Sequence, residues 1–177
     1  MLVNQSIIAD IKSIIEQAKD NTIRQIDHQR TLMYWHIGKR IFEEEQEGKD
    51  RADYGKYFTE YISNQLEPEF GSGFSKRQIE LFRQFYRMFS NTNTLYSQLS
   101  WSQYKLLIRL DVSEQREFYI AETIKNNWTV RQLERQIYSN LYERLLVSNN
   151  KESVLAVAKS EKQPSLFADG TAITERG

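Results

Sequence analysis

Six cations in this chain cluster where two short helices should begin. Residues 74–80 read F-S-K-R-Q-I-E and residues 128–134 read W-T-V-R-Q-L-E. Each phrase is aromatic, hydroxyl, any residue, Arg, Gln, aliphatic, Glu. Lys76 and Arg77 stand in the first phrase, with Arg83 and Arg87 on the same run, while Arg131 stands in the second, followed by Arg135. The chemistry open to such residues is recognition. Guanidinium and ammonium groups grip phosphate oxygens, arginine also reads base edges, and a helix start adds free backbone N–H groups that favour anions. Cations at a helix start oppose the macrodipole. That mild cost is a hint that the charge serves a partner. The ordinary alternative is that arginines on exposed helix faces are simply solvated.

Catalytic chemistry has no comparable signal. His28 and His36 are eight residues apart, too far to share a metal on one helix, and no carboxylate spacing completes a site. There is no phosphate loop, nucleophile elbow, paired-carboxylate nuclease motif or zinc spacing. No catalytic residue, metal site or cofactor is expected. The run Glu43-Glu44-Glu45-Gln46-Glu47 lies near a helix C-terminus, where the dipole disfavours it, and reads as a solvated face.

The elements that must position the cations are helices. In each phrase the hydroxyl residue, Ser75 or Thr129, should accept from a first-turn N–H, and Gln78 or Gln132 should accept from the cap residue's own N–H, completing a capping box. Phe74 on Ile79, and Trp128 on Leu133, should act as hydrophobic staples. L-S-W-S-Q-Y at 99–104 repeats the logic, with Ser100, Gln103, and Leu99 against Tyr104. Apolar spacing predicts helices over 3–19, 22–46 (ended by Gly48) and 53–66 (capped by Asp53). Pro68, Gly71 and Gly73 should then break the chain. A fourth helix over 76–89 would bury Ile79, Phe82, Tyr86 and Phe89, with Leu81 and Phe85 widening the stripe. A short fifth should end near Leu110, and a sixth, with Phe118, Ala121, Glu122 and Ile124 along it, should end at Asn126 and Asn127. A seventh runs from Thr129 to about Val147. The third and fourth helices form one helix-turn-helix candidate, and the sixth and seventh another. The aromatic residues occur at helical spacing or cap positions and read as core rather than as a stacking surface.

Composition agrees with this architecture. Only two prolines and seven glycines occur among 177 residues, and helix formers dominate, so an all-α fold of about seven helices is expected. No apolar run is long enough for a transmembrane helix. The absence of cysteine excludes disulfides and thiolate metal sites and fits a reducing cytoplasm. The net charge of +0 conceals an asymmetry: residues 1–70 carry 9 basic against 13 acidic side chains, residues 71–146 carry 11 against 7. Both repeated phrases fall in the positive segment, although the excess is far below that of a strongly basic nucleic-acid module. From Ser148 the periodicity fades and Pro164 intervenes, so residues 148–177 read as a flexible linker or tail, with a short helix over 152–159 as an option.

The motifs together resemble a known family. Y-W-H-I-G-K-R-I at 34–41, Y-G at 54–55, F-G-S-G-F-S-K-R-Q-I at 70–79, F-Y at 85–86, L-S-W-S-Q-Y at 99–104, F-Y at 118–119 and W-T-V-R-Q-L-E-R-Q-I-Y-S-N-L-Y-E-R-L at 128–145 are similar, in order, to the N-terminal domain of YhcG-type bacterial proteins. The resemblance implies a helical targeting or assembly module over residues 1–147, of the kind that precedes a PD-(D/E)XK nuclease domain. The acidic and lysine residues of that nuclease core have no counterpart here, so the tail would lead to a nuclease domain that this sequence lacks. The expected function is therefore non-catalytic DNA binding or targeting through Lys76, Arg77, Arg83, Arg87, Arg131 and Arg135, with DNA and a nuclease domain, in cis or in trans, as partners. The alternative is a protein-interaction or dimerisation module without nucleic-acid binding, with a homodimer as one form, in which the basic and acidic halves and the apolar faces of the first two helices do the docking.

Overall fold

The computed structural model describes residues 5–47 and 54–148. Gly48, the Asp53 cap, the option of a helix over 152–159 and nearly all of the expected tail lie outside these residues. Among the described residues the fold is all-helical, with seven α-helices and no strand: α1 Gln5–Glu47, α2 Tyr54–Phe70, α3 Lys76–Met88, α4 Trp101–Leu107, α5 Ser113–Asn126, α6 Val130–Tyr138 and α7 Leu141–Val147. None of them is long and apolar enough to cross a membrane. The chain divides into two compact units, residues 1–116 and 117–177.

The two helices expected before residue 47 are one. Asp20 and Asn21 are poor helix formers, but neither removes a backbone donor as proline would, so the penalty stays at a few tenths of a kcal/mol each, about what one turn tolerates. Thr22, read as a helix start, turns its hydroxyl back to the Ala18 carbonyl at 2.9 Å inside the continuous helix. Likewise α2 runs through Pro68 instead of stopping before it. The proline forfeits the bond to the Asn64 carbonyl, and Asn64 is exposed, so water can serve that carbonyl. The helix ends at Gly71, whose φ of 85° suits glycine.

In the first unit, α1 and α3 meet backbone to backbone at Gly38. A Cβ placed there would lie 1.9 Å from the Phe82 carbonyl oxygen. Aromatic rings seal both sides of this contact. Tyr34 stacks on Phe82 at 4.4 Å, Trp35 meets Tyr86 edge-on at 5.1 Å, and the Trp35 indole N–H donates to the Phe89 carbonyl. Trp101 of α4 packs on Phe82 and Phe85. Tyr104 is fully buried, and its hydroxyl accepts from the Tyr96 N–H at 2.8 Å; burial pushes its ionisation well above the usual tyrosine range. The aromatic residues of α3 and α4 thus pack into the core, but Phe85, expected only to widen the stripe, is fully buried, while Tyr86 is half-buried.

In the second unit the buried face of α5 is Tyr119, Ile120, Glu122, Thr123 and Asn126. Of Phe118, Ala121, Glu122 and Ile124, expected along this helix, Glu122 is buried, Phe118 and Ile124 are half-buried and Ala121 is exposed. The reason is polar. The Tyr119 hydroxyl donates to the Gln136 carbonyl at 3.1 Å and accepts from the Tyr142 N–H at 3.3 Å, so the ring with the useful hydroxyl goes inside. Asn126 donates to both the carbonyl and the carboxylate of Glu122, which makes that buried acid tolerable. The single helix expected after Thr129 is two, because Asn140 adopts a left-handed φ of 51° between α6 and α7.

Two of the three capping boxes form. Ser100 and Thr129 each accept from the N–H three residues on, while Gln103 and Gln132 accept the cap N–H at 2.7 and 2.8 Å. At Ser75 the box is absent. A 3-10 turn over Ser72–Phe74 delivers the chain there, and the Ser75 N–H already donates to the Ser72 carbonyl at 3.3 Å, leaving Gln78 nothing to accept. Packing holds this helix start instead, since Phe74 joins the core cluster of Ile41, Ile79 and Phe82. Thr129→Ala should therefore cost about 0.5–2 kcal/mol. Ser75→Ala should cost little, because no cap bond is lost. Urea titrations of the two variants give the comparison, and equal losses would contradict the assignment.

Candidate nucleic-acid interface

Helix α3 carries four of the six expected contact residues. Arg77, its second residue, and Arg87, near its end, are exposed. Lys76 and Arg83 are engaged. The Lys76 ammonium lies 2.8 Å from Glu60 of α2, and this hydrogen bond raises its ionisation above the ordinary lysine range. Arg83 pairs with Glu45 near the end of α1 at 2.5 Å, with both side chains largely covered. Glu45 is thus no solvated member of an acidic face. It neutralises one of the expected DNA contacts, whereas Glu43 and Glu44 pair within α1 with Lys39 and Arg40. The spacing of the run carried no sign of this, since its partner lies 38 residues away.

Between these cations α3 presents a shallow groove of about 510 Å³, lined by Glu80, Arg83, Gln84, Arg87 and Met88. Gln84 donates to the Ile108 carbonyl at 3.0 Å, and Arg116 donates to the Leu110 carbonyl at 2.6 Å. These bonds brace the turn between α4 and α5 beside the groove. Arg116 also lies over the Phe89 ring, 5.7 Å from its centroid. No sequence signal marks Arg116, an isolated arginine before an apolar stretch.

In the second unit, Arg131 is the second residue of α6, and Arg135 follows one turn later. Both are exposed. The rigid start that the repeated phrase implied is present here in full: the capping box at Thr129 on the outside, buried Trp128 and Leu133 within. Among the described residues, Arg77, Arg87 and Arg131 have no ion-pair partner, so their charge is available to a ligand without displacing a carboxylate. Lys76 and Arg83 must first exchange Glu60 and Glu45.

An all-helical module with these sequence phrases defines a recognised class. The sequence profile of the family described as DUF1016 N-terminal domain matches residues 10–144. The chain belongs to that family, and the expected resemblance to the YhcG-type N-terminal domain is borne out. It is similar to the protein named "Putative nuclease YhcG" of Escherichia coli (strain K12), with 31% identity over 183 residues, covering 85% of this chain and 49% of that protein. The chain therefore spans about half the length of this relative. No solved structure matches it.

Proposed function

We propose that this chain is a DNA-binding or targeting module that positions a nuclease domain, in cis or in trans, and performs no cleavage itself. The observation that carries the reading is the pair of matching helix starts. Arg77 and Arg131 occupy the same place in the repeated phrase, each is the second residue of its helix, each is exposed, and neither is held by a carboxylate among the described residues. That is where a groove-entering helix makes base-edge contacts. α2 with α3, and α5 with α6, supply the two helix-turn-helix elements of this reading, and Arg87 supplies a phosphate contact. Similarity to part of a protein named as a nuclease favours a nucleic acid as the ligand, for which we take DNA, and the cysteine-free sequence fits a reducing cytoplasm as its setting.

The test is a gel shift with duplex and single-stranded DNA at two salt concentrations, beside plasmid incubation with magnesium or manganese. Binding should weaken steeply with salt through counterion release, and plasmid should stay intact. Arg87→Ala should weaken all sequences alike and flatten the log–log salt slope by about one unit. Arg77→Ala or Arg131→Ala should also relax any sequence preference, by about 1–3 kcal/mol at the position read. Arg83→Ala should have a smaller effect than Arg87→Ala, because Glu45 already holds it. A triple variant of Arg77, Arg87 and Arg131 that binds like the parent chain would rule the reading out.

A further inference from the structure

The first half of α1 offers an apolar face that nothing described in the chain covers. Ile7, Ile8, Ile11, Ile14, Ile15, Ile23 and Ile26 are all exposed, between 46% and 64%. From Ser6 to Ile26 no residue is buried or half-buried, and burial begins at Asp27. The exposure follows from reach. The core residues of the same helix are Thr31, Trp35, Gly38 and Ile41, and the residues one or more whole turns before them on the same side, Ser13, Gln17 and Asp20, are as exposed as the isoleucines. The elements that cover α1 begin beside Asp27, and Ser6–Ile26 extends past them.

We propose that this stripe is a self-association surface, covered by the same face of further copies of this chain. Three observations select that occupant. The first is area. Seven isoleucines about half exposed offer on the order of 700 Å² per chain, and two such faces together reach roughly the 1,200–2,000 Å² that stable interfaces bury. The second is pattern. Ile7, Ile11, Ile14 and Ala18 follow the four-three-four spacing of a coiled-coil seam, and Ile8 and Ile15 widen it. Isoleucine at both kinds of seam position, on a face broader than a two-helix seam, suits a bundle of more than two helices. The third is charge. Asp10, Glu16 and Asp20 balance Lys12, Lys19 and Arg24, so this segment carries no net charge with which to repel a copy of itself. It equally lacks the basic excess that would recruit nucleic acid. The proposal is independent of the DNA reading, because no residue of the stripe belongs to the candidate interface.

The experiment measures the mass of the full chain by light scattering and sedimentation from low to high micromolar concentration. The expected result is a multiple of the 21.1 kDa chain mass. Ile11→Lys with Ile15→Lys should return the mass to that of one chain. Because both residues are exposed, the near-ultraviolet signature of the aromatic core should stay unchanged. Ile11→Leu with Ile15→Leu should keep the assembly. The chain contains no cysteine, so Ile14→Cys introduces a single thiol, which should cross-link copies on mild oxidation. Gln17→Cys, on the opposite face, should cross-link far less. A parent chain of monomer mass across the whole concentration range overturns the proposal. So does an assembly that survives the double lysine variant, which would place the contact on another surface.

Discussion

Gly38→Ala should be among the most damaging single methyl additions this chain can receive. Alanine is intrinsically the better helix former, by about 1 kcal/mol, so helix propensity alone predicts a gain. Geometry reverses the sign. The new Cβ would sit 1.9 Å from the Phe82 carbonyl oxygen and 2.6 Å from its carbon. Both are backbone atoms, so no side chain can swing away. Relief requires α1 and α3 to separate along their contact, loosening Tyr34 on Phe82 and Trp35 on Tyr86 together. Overpacking of a good core costs about 1–3 kcal/mol and occasionally more, and a backbone-on-backbone clash belongs at the upper end, near 3 kcal/mol or above. Urea unfolding in a Trp128→Phe background, where the fluorescence comes from Trp35 and Trp101, reads the first unit. An unchanged midpoint would mean that the two helices are not in contact at this position.

Trp128→Ala should produce a loss of similar size in the second unit. The indole is 4% exposed, its backbone N–H donates to the Thr123 carbonyl at 3.0 Å, and it sits between left-handed Asn127 and the Thr129 cap. Removing a buried tryptophan leaves a cavity and costs about 3–5 kcal/mol. Since Trp128 fixes the path from α5 into α6, amide exchange should accelerate across both helices rather than at the substituted residue alone. Trp128→Phe should retain much of the protection. If alanine leaves exchange in α6 untouched, the residue does not staple this turn.

Local chemistry was legible wherever a few neighbouring residues decide the outcome. The caps at Ser100 and Thr129, the start of α3 after Ser75, the end of α5 at Asn126 and the aromatic core of α3 all follow from spacing and from hydrogen-bond needs within one or two turns. Arg77, Arg87, Arg131 and Arg135 were also identifiable as exposed helix positions. Where the structure departs from spacing, a competing local bond or a balance of small terms decides. Ser75 spends its N–H on the preceding turn, Asn140 breaks what periodicity continued, and Tyr119 takes the inner place of Phe118 because its hydroxyl finds partners.

Only tertiary structure decided which charges are free and which faces are covered. Spacing made Arg83 and Arg87 equivalent, one turn apart on one helix. The fold brings Glu45 to Arg83 and no carboxylate to Arg87 among the described residues. Periodicity likewise made the isoleucines of α1 resemble any buried stripe. Burial, however, depends on where along the helix its neighbours lie, and that is set by Gly38 lying against Phe82, 44 positions along the chain. A sequence determines by itself that a helix has an apolar side. Which stretch of it meets the rest of the protein is settled by the close approach of backbones remote in sequence, and that approach covers α1 from Asp27 onward and leaves the isoleucine face before it bare.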